Sequence, residues 1–192
     1  VGQFGELATA GYGTSVRLEQ VLLLPVIGLN TAVISIAGQN FGAKNYDRVR
    51  ETYTTSMIFG FVFMTLAGVF IFFTAHFFMS KFTDDKEVIA AGVYYLQVAA
   101  FIGPIYPTFF ITSALFQALK KPIFSLYMTI MRLTLLPFLS LYYVINIKGG
   151  EFQDIFKTIL VTNWGMGILV LIFVTFYLRR NLNIPLRKLF FL

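Results

Sequence analysis

Cysteine is absent from the 192 residues, so neither a disulfide nor a thiolate metal site can form. Charge is scarce as well: 12% of the residues are Asp, Glu, Lys or Arg, against about 25% in a soluble domain. The single histidine, His76, makes no metal site without partner ligands. No Ser-His-Asp set and no glycine-rich phosphate loop is present, so the sequence does not favour an enzyme.

Apolar residues dominate what is there: 57% of the chain is hydrophobic and 23 residues are Phe. They form five segments, each near or above the ~20 residues that a membrane-spanning helix needs. Barrel strands are much shorter, about 10 residues, and alternate in polarity. A helix also satisfies its own backbone in lipid. The sequence therefore predicts an all-α integral membrane protein, a single membrane domain over residues 1–192 with a basic tail at 179–192. The predicted transmembrane helices cover about 7–38, 53–79, 88–119, 123–147 and 155–178.

The lysines and arginines between these segments favour one side of the membrane. One side has nine: Lys44, Arg48, Arg50, Lys120, Lys121, Arg179, Arg180, Arg187 and Lys188. The other has four: Lys81, Lys86, Lys148 and Lys157. Because cytoplasmic loops are enriched in positive charge, we predict a cytoplasmic C-terminal tail and a Val1 end outside a bacterial-type inner membrane. The net charge of +6 thus indicates contact with the membrane surface and not with nucleic acid.

Glu19 is the acidic residue deepest in the first predicted helix, ~18 Å along its axis and near the middle of the bilayer. A carboxylate at that depth is costly and is a functional candidate. It could exchange a proton or a cation, or it could be a structural partner of Arg132 or of another buried donor. Arg17 is two residues away and does not share its face, so it reaches the outer interface or a water-filled cleft.

Uncharged polar side chains also lie inside the predicted helices. Hydrogen bonds between helices explain most such residues, and lining of a cavity or pore is the alternative. These candidates are Gln20, Asn30, Gln97 and Asn163. Aromatic residues such as Tyr95 and Tyr106 could bind an organic cation, or could simply pack.

Three prolines inside the helices are candidates for kinks or hinges, since each removes a backbone hydrogen bond. They are Pro25, Pro104 and Pro107. Transporters use such broken helices to line a cavity, although proline is also common in membrane helices generally.

The connection after the first helix contains Gln39, Asn40 and Gly42. Gly42 would permit a tight helix exit with Asn40 capping, and Asp47 would be the N-cap of the next helix. We predict a structural turn that could also help to gate the cytoplasmic side.

The chain begins at Val1 and not at Met, which predicts a fragment of a longer protein. Two stretches carry a family resemblance. The first stretch contains Ala10-Gly11-Tyr12-Gly13, Arg17-Leu18-Glu19, Leu24-Pro25, Gly28-Leu29-Asn30 and Gly38-Gln39-Asn40-Phe41-Gly42-Ala43-Lys44-Asn45. The second stretch is Phe116-Gln117-Ala118-Leu119-Lys120-Lys121-Pro122. The sequence resembles the multidrug and toxic compound extrusion (MATE) transporters over nearly its whole length.

The resemblance implies helices eight to twelve of a twelve-helix protein, most of one six-helix lobe. It implies a secondary antiporter that exports organic cations and drugs in exchange for Na+ or H+, with no cofactor. Its partners would be the lipid bilayer, a small organic and cationic substrate, and the missing N-terminal lobe. Some members carry an acidic residue in the tenth helix, but residues 88–119 contain none. Glu19 is then the acidic side chain deep in this lobe. The alternative is that the coupling carboxylate lies in the missing N-terminal lobe.

Three alternatives remain open at this stage. A lipid-linked oligosaccharide flippase of related fold would need several cationic residues in its cavity, and only Arg17 and Arg132 are available. A membrane enzyme would need His, Asp or Glu residues clustered at one membrane face. A non-transporting structural subunit would bind no substrate in a cation-dependent way.

Overall fold

A computed structural model describes residues 5–147, 149 and 151–182 of the chain. The helices are α1 (Glu6–Gly42), α2 (Tyr46–Met79), α3 (Lys86–Ile102), α4 (Tyr106–Ala118), α5 (Pro122–Ile130), α6 (Leu136–Tyr142) and α7 (Phe152–Leu182). A 3-10 turn (Gly103–Ile105) joins α3 to α4, and π-helical segments (Met131–Leu135 and Tyr143–Ile147) precede and follow α6. All of these elements are helical, so the predicted all-α fold is confirmed.

These elements combine into five stretches that are long and apolar enough to cross a membrane: Thr9–Gly42, Tyr46–Met79, Lys86–Ala118, Pro122–Ile147 and Gln153–Asn181. The number of spans is as predicted, but some ends differ. The second helix begins at Tyr46 and not near 53, and the fifth continues through Arg179 and Arg180. The Val1 end and the rest of the predicted basic tail, 183–192, lie outside the described residues.

The third span, made of α3, the 3-10 turn and α4, is the most buried of the five. It packs against α1, α2 and α7. Glycines allow two of these approaches: a β-carbon on Gly11 of α1 would lie 2.6 Å from the carbonyl oxygen of Val88, and one on Gly68 of α2 would lie 2.5 Å from that of Ala100. The third span is therefore the centre of the bundle, and small residues bring its neighbours close to it.

The 3-10 turn interrupts the third span at its middle. It contains Pro104, which has no backbone N–H to donate. The indole Nε1 of Trp164 on α7 donates a 2.9 Å hydrogen bond to the carbonyl oxygen of Phe101, just before the turn. A side chain from a neighbouring helix thus satisfies a backbone acceptor where the regular helix stops, as membrane interiors require.

Two helix ends reverse the chain in the same way, each with a lysine in a left-handed conformation. Lys44 and Lys120 both have φ of 57°. The following residues close the turns with 2.8 Å backbone bonds, Asn45 to the oxygen of Asn40 and Lys121 to that of Phe116. This is the hydrogen-bond pattern of a Schellman motif, in which glycine is the preferred left-handed residue.

The first of these turns corrects two sequence predictions. Gly42 is the last residue of α1, and it is Lys44 that adopts the left-handed backbone. The N-cap of α2 is Asn45, whose side chain accepts a 3.3 Å hydrogen bond from the N–H of Arg48. Asp47 lies in the first turn of α2 instead, so its prediction as the N-cap is wrong. Asn40 does not cap through its side chain, which donates back to the carbonyl of Ile36 at 2.8 Å.

Candidate functional site

The carboxylate of Glu19 accepts hydrogen bonds from two tyrosines of the third span. The hydroxyl of Tyr95 donates to Oε2 at 2.5 Å, and that of Tyr106 donates to Oε1 at 2.9 Å. Each carboxylate oxygen therefore has a donor, although no cation of the described residues forms an ion pair with it within 4.0 Å. Hydrogen bonds to an ionised acceptor are about twice as strong as neutral ones, which helps to stabilise the charge between helices.

The two donors lie on different sides of the 3-10 turn. Tyr95 belongs to α3, whereas Tyr106 is the first residue of α4. Tyr95 and Tyr106 are about three helical turns apart, so they lie on nearly the same face of the third span, and both hydroxyls reach the same residue of α1. Behind the site, Tyr12 and the buried Phe156 pack edge-on against the ring of Tyr95, with ring centroids 5.0 and 5.3 Å away. These contacts hold the Tyr95 ring in place.

Tyr106 also contacts the second charged residue inside the bundle. The guanidinium carbon of Arg132 lies 4.7 Å from the centroid of the Tyr106 ring and 4.1 Å from that of Phe109. Nε of Arg132 donates to Oδ1 of Asn163 on α7 at 3.2 Å. The direct pairing of Glu19 with Arg132, one of the structural alternatives, is absent from the ion pairs of the described chain. Tyr106 instead lies between them.

A groove opens beside Arg132. Its wall combines aromatic and apolar side chains with a few polar ones. The lining residues are Asn30, Phe109, Phe110, Ser113, Met128, Thr129, Arg132 and Leu133. Asn30 of α1 donates from Nδ2 to the carbonyl of Phe110 at 2.6 Å, which ties α1 to α4 at this point.

The remaining candidates lie in varied surroundings. On α1, Arg17 and Gln20 are exposed, and Gln39 is exposed at the helix end. Gln97 is half-buried on α3, while Asn163 is buried and donates from Nδ2 to the carbonyl of Ile159 at 2.9 Å. Tyr106 thus links Glu19 to Arg132, which in turn contacts Asn163, whereas Arg17 and Gln20 are exposed on α1.

The proline candidates differ from one another. Helix α1 continues through Pro25 to Gly42 without interruption. Pro104 lies in the 3-10 turn, and Pro107 is buried in the first turn of α4. Their function as hinges stays a prediction.

The sequence pattern predicts Tyr95 and Tyr106 only as aromatic faces and indicates no hydrogen-bond partner for either. A signal was present nonetheless: a tyrosine hydroxyl deep in an apolar helix needs a hydrogen-bond partner, whereas a phenylalanine does not. The partner itself could not be identified, because it lies 76 and 87 residues away along the chain. Among the described residues, no three His, Asp or Glu side chains are grouped as metal ligands would be.

Five helices that are long and apolar enough to cross a membrane are those of a multi-pass membrane protein. A family model described as MatE matches residues 1–143, and the chain belongs to this family. The resemblance to MATE transporters is therefore confirmed.

Curated relatives agree with this family. The chain is 30% identical over 184 residues to an FAD transporter of Shewanella oneidensis, an alignment that covers 94% of this chain and 38% of that protein. It is 27% identical over 118 residues to a probable multidrug resistance protein of Bacillus subtilis, covering 62% of this chain and 26% of that protein. The chain thus spans about two fifths, or less, of the relatives that it matches.

Solved structures show the same fold. The chain superimposes with a TM-score of 0.88 on the outward-facing conformation of a multidrug resistance MATE family transporter, at 20% identity, covering 94% of this chain and 40% of that one. A MOP superfamily transporter from Pyrococcus furiosus gives a TM-score of 0.87 at 20% identity with the same coverage. At this identity the likeness shows the fold alone.

Proposed function

We propose that the chain is part of a secondary active antiporter that exports a small organic molecule in exchange for Na+ or H+. Alternating access between two lobes would carry the substrate across the membrane. The observation that carries this proposal is the carboxylate of Glu19, which lies inside a membrane-spanning helix and is held by Tyr95 and Tyr106.

The geometry suits reversible binding of a small cation. No lysine or arginine of the described residues forms an ion pair with Glu19, so a proton or Na+ would not have to displace one. The hydroxyl groups can donate to the charged carboxylate, and after a rotation each can turn an oxygen lone pair toward a bound Na+. Binding of either ion would remove net charge from the bundle interior, where charge is costly. A cation bound on one side of the membrane and released on the other would couple its gradient to substrate movement.

The substrate and the orientation are part of the same proposal. The family resemblance implies organic cations and drugs as substrates, and the lysine and arginine distribution predicts a cytoplasmic C-terminal tail. Two named relatives, the probable multidrug resistance protein and the FAD transporter, suggest two classes of substrate to compare. The partners would be the bilayer, the substrate and a second lobe of the same protein.

Transport by the full-length protein in proteoliposomes tests the proposal. Efflux of ethidium and of FAD is measured while Na+ and pH gradients are imposed separately. We expect Glu19→Gln to abolish the gradient-driven component, since the amide cannot bind a proton or Na+ as a carboxylate does. Glu87→Gln is the matched control, because Glu87 is exposed in the first turn of α3 and should leave transport unchanged.

A Glu19→Gln variant that keeps the wild-type dependence on both gradients would rule out coupling at Glu19. Transport that depends on neither gradient in the wild-type protein would rule out antiport itself. The flippase and structural-subunit alternatives predict that neither ethidium nor FAD moves.

A further inference from the structure

Arg132 carries a positive charge inside the fourth span, and no carboxylate of the described residues forms an ion pair with it. It is the eleventh residue of Pro122–Ile147, ~15 Å along the helix axis from the Pro122 end. The ion pairs of the described residues are Arg48–Glu51 and Lys157–Asp154, both exposed. An arginine at the centre of a membrane helix is costly, so its presence calls for a compensating role.

Neighbouring side chains fix the plane of this guanidinium. The rings of Phe109 and Tyr106 lie against it, and Asn163 accepts from Nε. Nε is one of five N–H donors, and the others belong to the terminal nitrogens, which form the fork that recognises carboxylates and phosphates. Such pre-ordering lowers the entropy cost of binding an anion.

The groove beside Arg132 offers further donors and no competing carboxylate. Of its lining residues, none is acidic. Asn30 uses one amide hydrogen for the carbonyl of Phe110 and keeps a second. Ser113 accepts from Gln117 through its hydroxyl oxygen at 3.2 Å, which leaves the hydroxyl hydrogen available. Phe110 adds an aromatic face to the same wall.

We infer that Arg132 binds an anionic group, a carboxylate or a phosphate, of a small organic molecule whose ring lies in this groove. The inference rests on the proposed transport function, because it takes the bound molecule to be the substrate. It departs from the cationic substrate that the family resemblance implies. The anionic group has two possible sources, a soluble molecule or the headgroup of an anionic lipid.

Binding measured on the full-length protein in neutral detergent tests this directly. Adenosine monophosphate is the probe and adenosine is the comparison, since the two differ only by the phosphate. We expect adenosine monophosphate to bind more tightly in isothermal titration calorimetry. Arg132→Met should weaken its binding by about 10- to 100-fold and leave adenosine unchanged, as for loss of a charge-assisted hydrogen bond.

Two further variants separate recognition from folding. Arg132→Lys keeps the charge but loses the planar fork, so it should weaken binding to an intermediate degree. Arg180→Met removes an exposed arginine at the end of α7 and should have no effect. If Arg132→Met does not fold, as judged by gel filtration, the Arg132→Lys measurement decides.

The source of the anion is distinguished in nanodiscs. Displacement of adenosine monophosphate by phosphatidylglycerol, but not by phosphatidylcholine, would assign the site to a lipid headgroup; no displacement would assign it to a soluble molecule. The inference is wrong if neither adenosine monophosphate nor phosphatidylglycerol binding depends on Arg132.

Glu19→Gln separates this inference from the coupling proposal. Glu19 and Arg132 both contact Tyr106, so removing the negative charge near the guanidinium should tighten adenosine monophosphate binding. Failure of ion coupling would appear as unchanged gradient dependence of transport, with binding at Arg132 intact.

Discussion

Tyr106 touches both charged side chains at the centre of the bundle with different parts of one residue. Its hydroxyl donates to Oε1 of Glu19 at 2.9 Å, while its ring face lies 4.7 Å from the guanidinium carbon of Arg132. A tyrosine is suited to this position because one end is a hydrogen-bond donor and the face of its ring attracts a cation. The two functions can be removed separately.

Tyr106→Phe should remove the hydrogen bond to Glu19 and keep the ring under Arg132. We expect a loss of about 1–2 kcal/mol in the free energy of unfolding, the upper part of the range for hydrogen bonds between membrane helices. Chemical unfolding of the full-length protein in detergent measures it. Tyr94→Phe is the control, since Tyr94 has a ring contact with Phe156 but no described bond to Glu19.

The double variant Tyr106→Phe with Glu19→Gln tests whether the two residues act together. Their effects should be clearly less than additive, because each single change already breaks the same bond. Additive losses would show that Tyr106 stabilises the bundle through packing alone.

Gly11→Ala should destabilise the bundle, whereas Gly13→Ala should not. A β-carbon on Gly11 would lie 2.6 Å from the carbonyl oxygen of Val88, so α1 and α3 would have to move apart; at Gly13 nothing lies within 4 Å. We expect Gly11→Ala to cost about 1–3 kcal/mol, as overpacking does, and Gly13→Ala to be neutral or to gain up to about 1 kcal/mol from helix propensity. Thermal midpoints of the two variants in detergent give the comparison, and equal midpoints would contradict the close packing.

Trp164→Phe should weaken the contact between α7 and the third span. It removes the indole donor to the carbonyl of Phe101 and retains an aromatic ring. The expected cost is about 0.5–1.5 kcal/mol. Hydrogen exchange around 101–106 should also accelerate. Val161→Ala, at a 70% exposed position of the same helix, provides the control. Unaltered exchange at the turn would show that the break does not need this bond.

Lys44→Gly should stabilise the first turn, because glycine adopts a φ of 57° without the steric cost of a β-carbon. We expect a gain of about 1 kcal/mol. Lys44→Ala removes the same charge but retains the β-carbon, so it should bring no gain. Ala43→Gly, at φ of −80°, should be destabilising. A gain from Lys44→Ala equal to that from Lys44→Gly would assign the effect to charge.

The sequence could predict the helical class, the number of spans and Glu19 as a functional candidate. Each depends on a local property: the length of a segment, its hydropathy, or the cost of a buried charge. The partners of Glu19 could not, since they depend on how α1 packs against α3 and α4. The left-handed lysines were also missed. Gly42 is the residue that propensity favours for such a turn, yet the helix continues through it and reverses two residues later.

Arg132 is a second residue whose partners could not be predicted from the sequence. The depth of Arg132 in the fourth span could be predicted from the sequence. Glu19, an acidic residue deep in the first span, was one possible partner. The structure places aromatic rings and Asn163 around it instead. Residue spacing can indicate that a charge needs compensation, but only the packing of α4 and α7 shows which side chains supply it.

The 3-10 turn between α3 and α4 has a geometric consequence for Glu19. Tyr95 and Tyr106 are carried by different halves of the third span, so any change in its curvature alters the spacing between their hydroxyl groups. Distances between spin labels at Lys86 and Gln117, recorded with and without Na+, would show whether ion occupancy follows that curvature. Both hydroxyls can donate to the Glu19 carboxylate only over a narrow range of bend angles. The bend angle of the third span therefore reports whether the carboxylate keeps both hydrogen bonds.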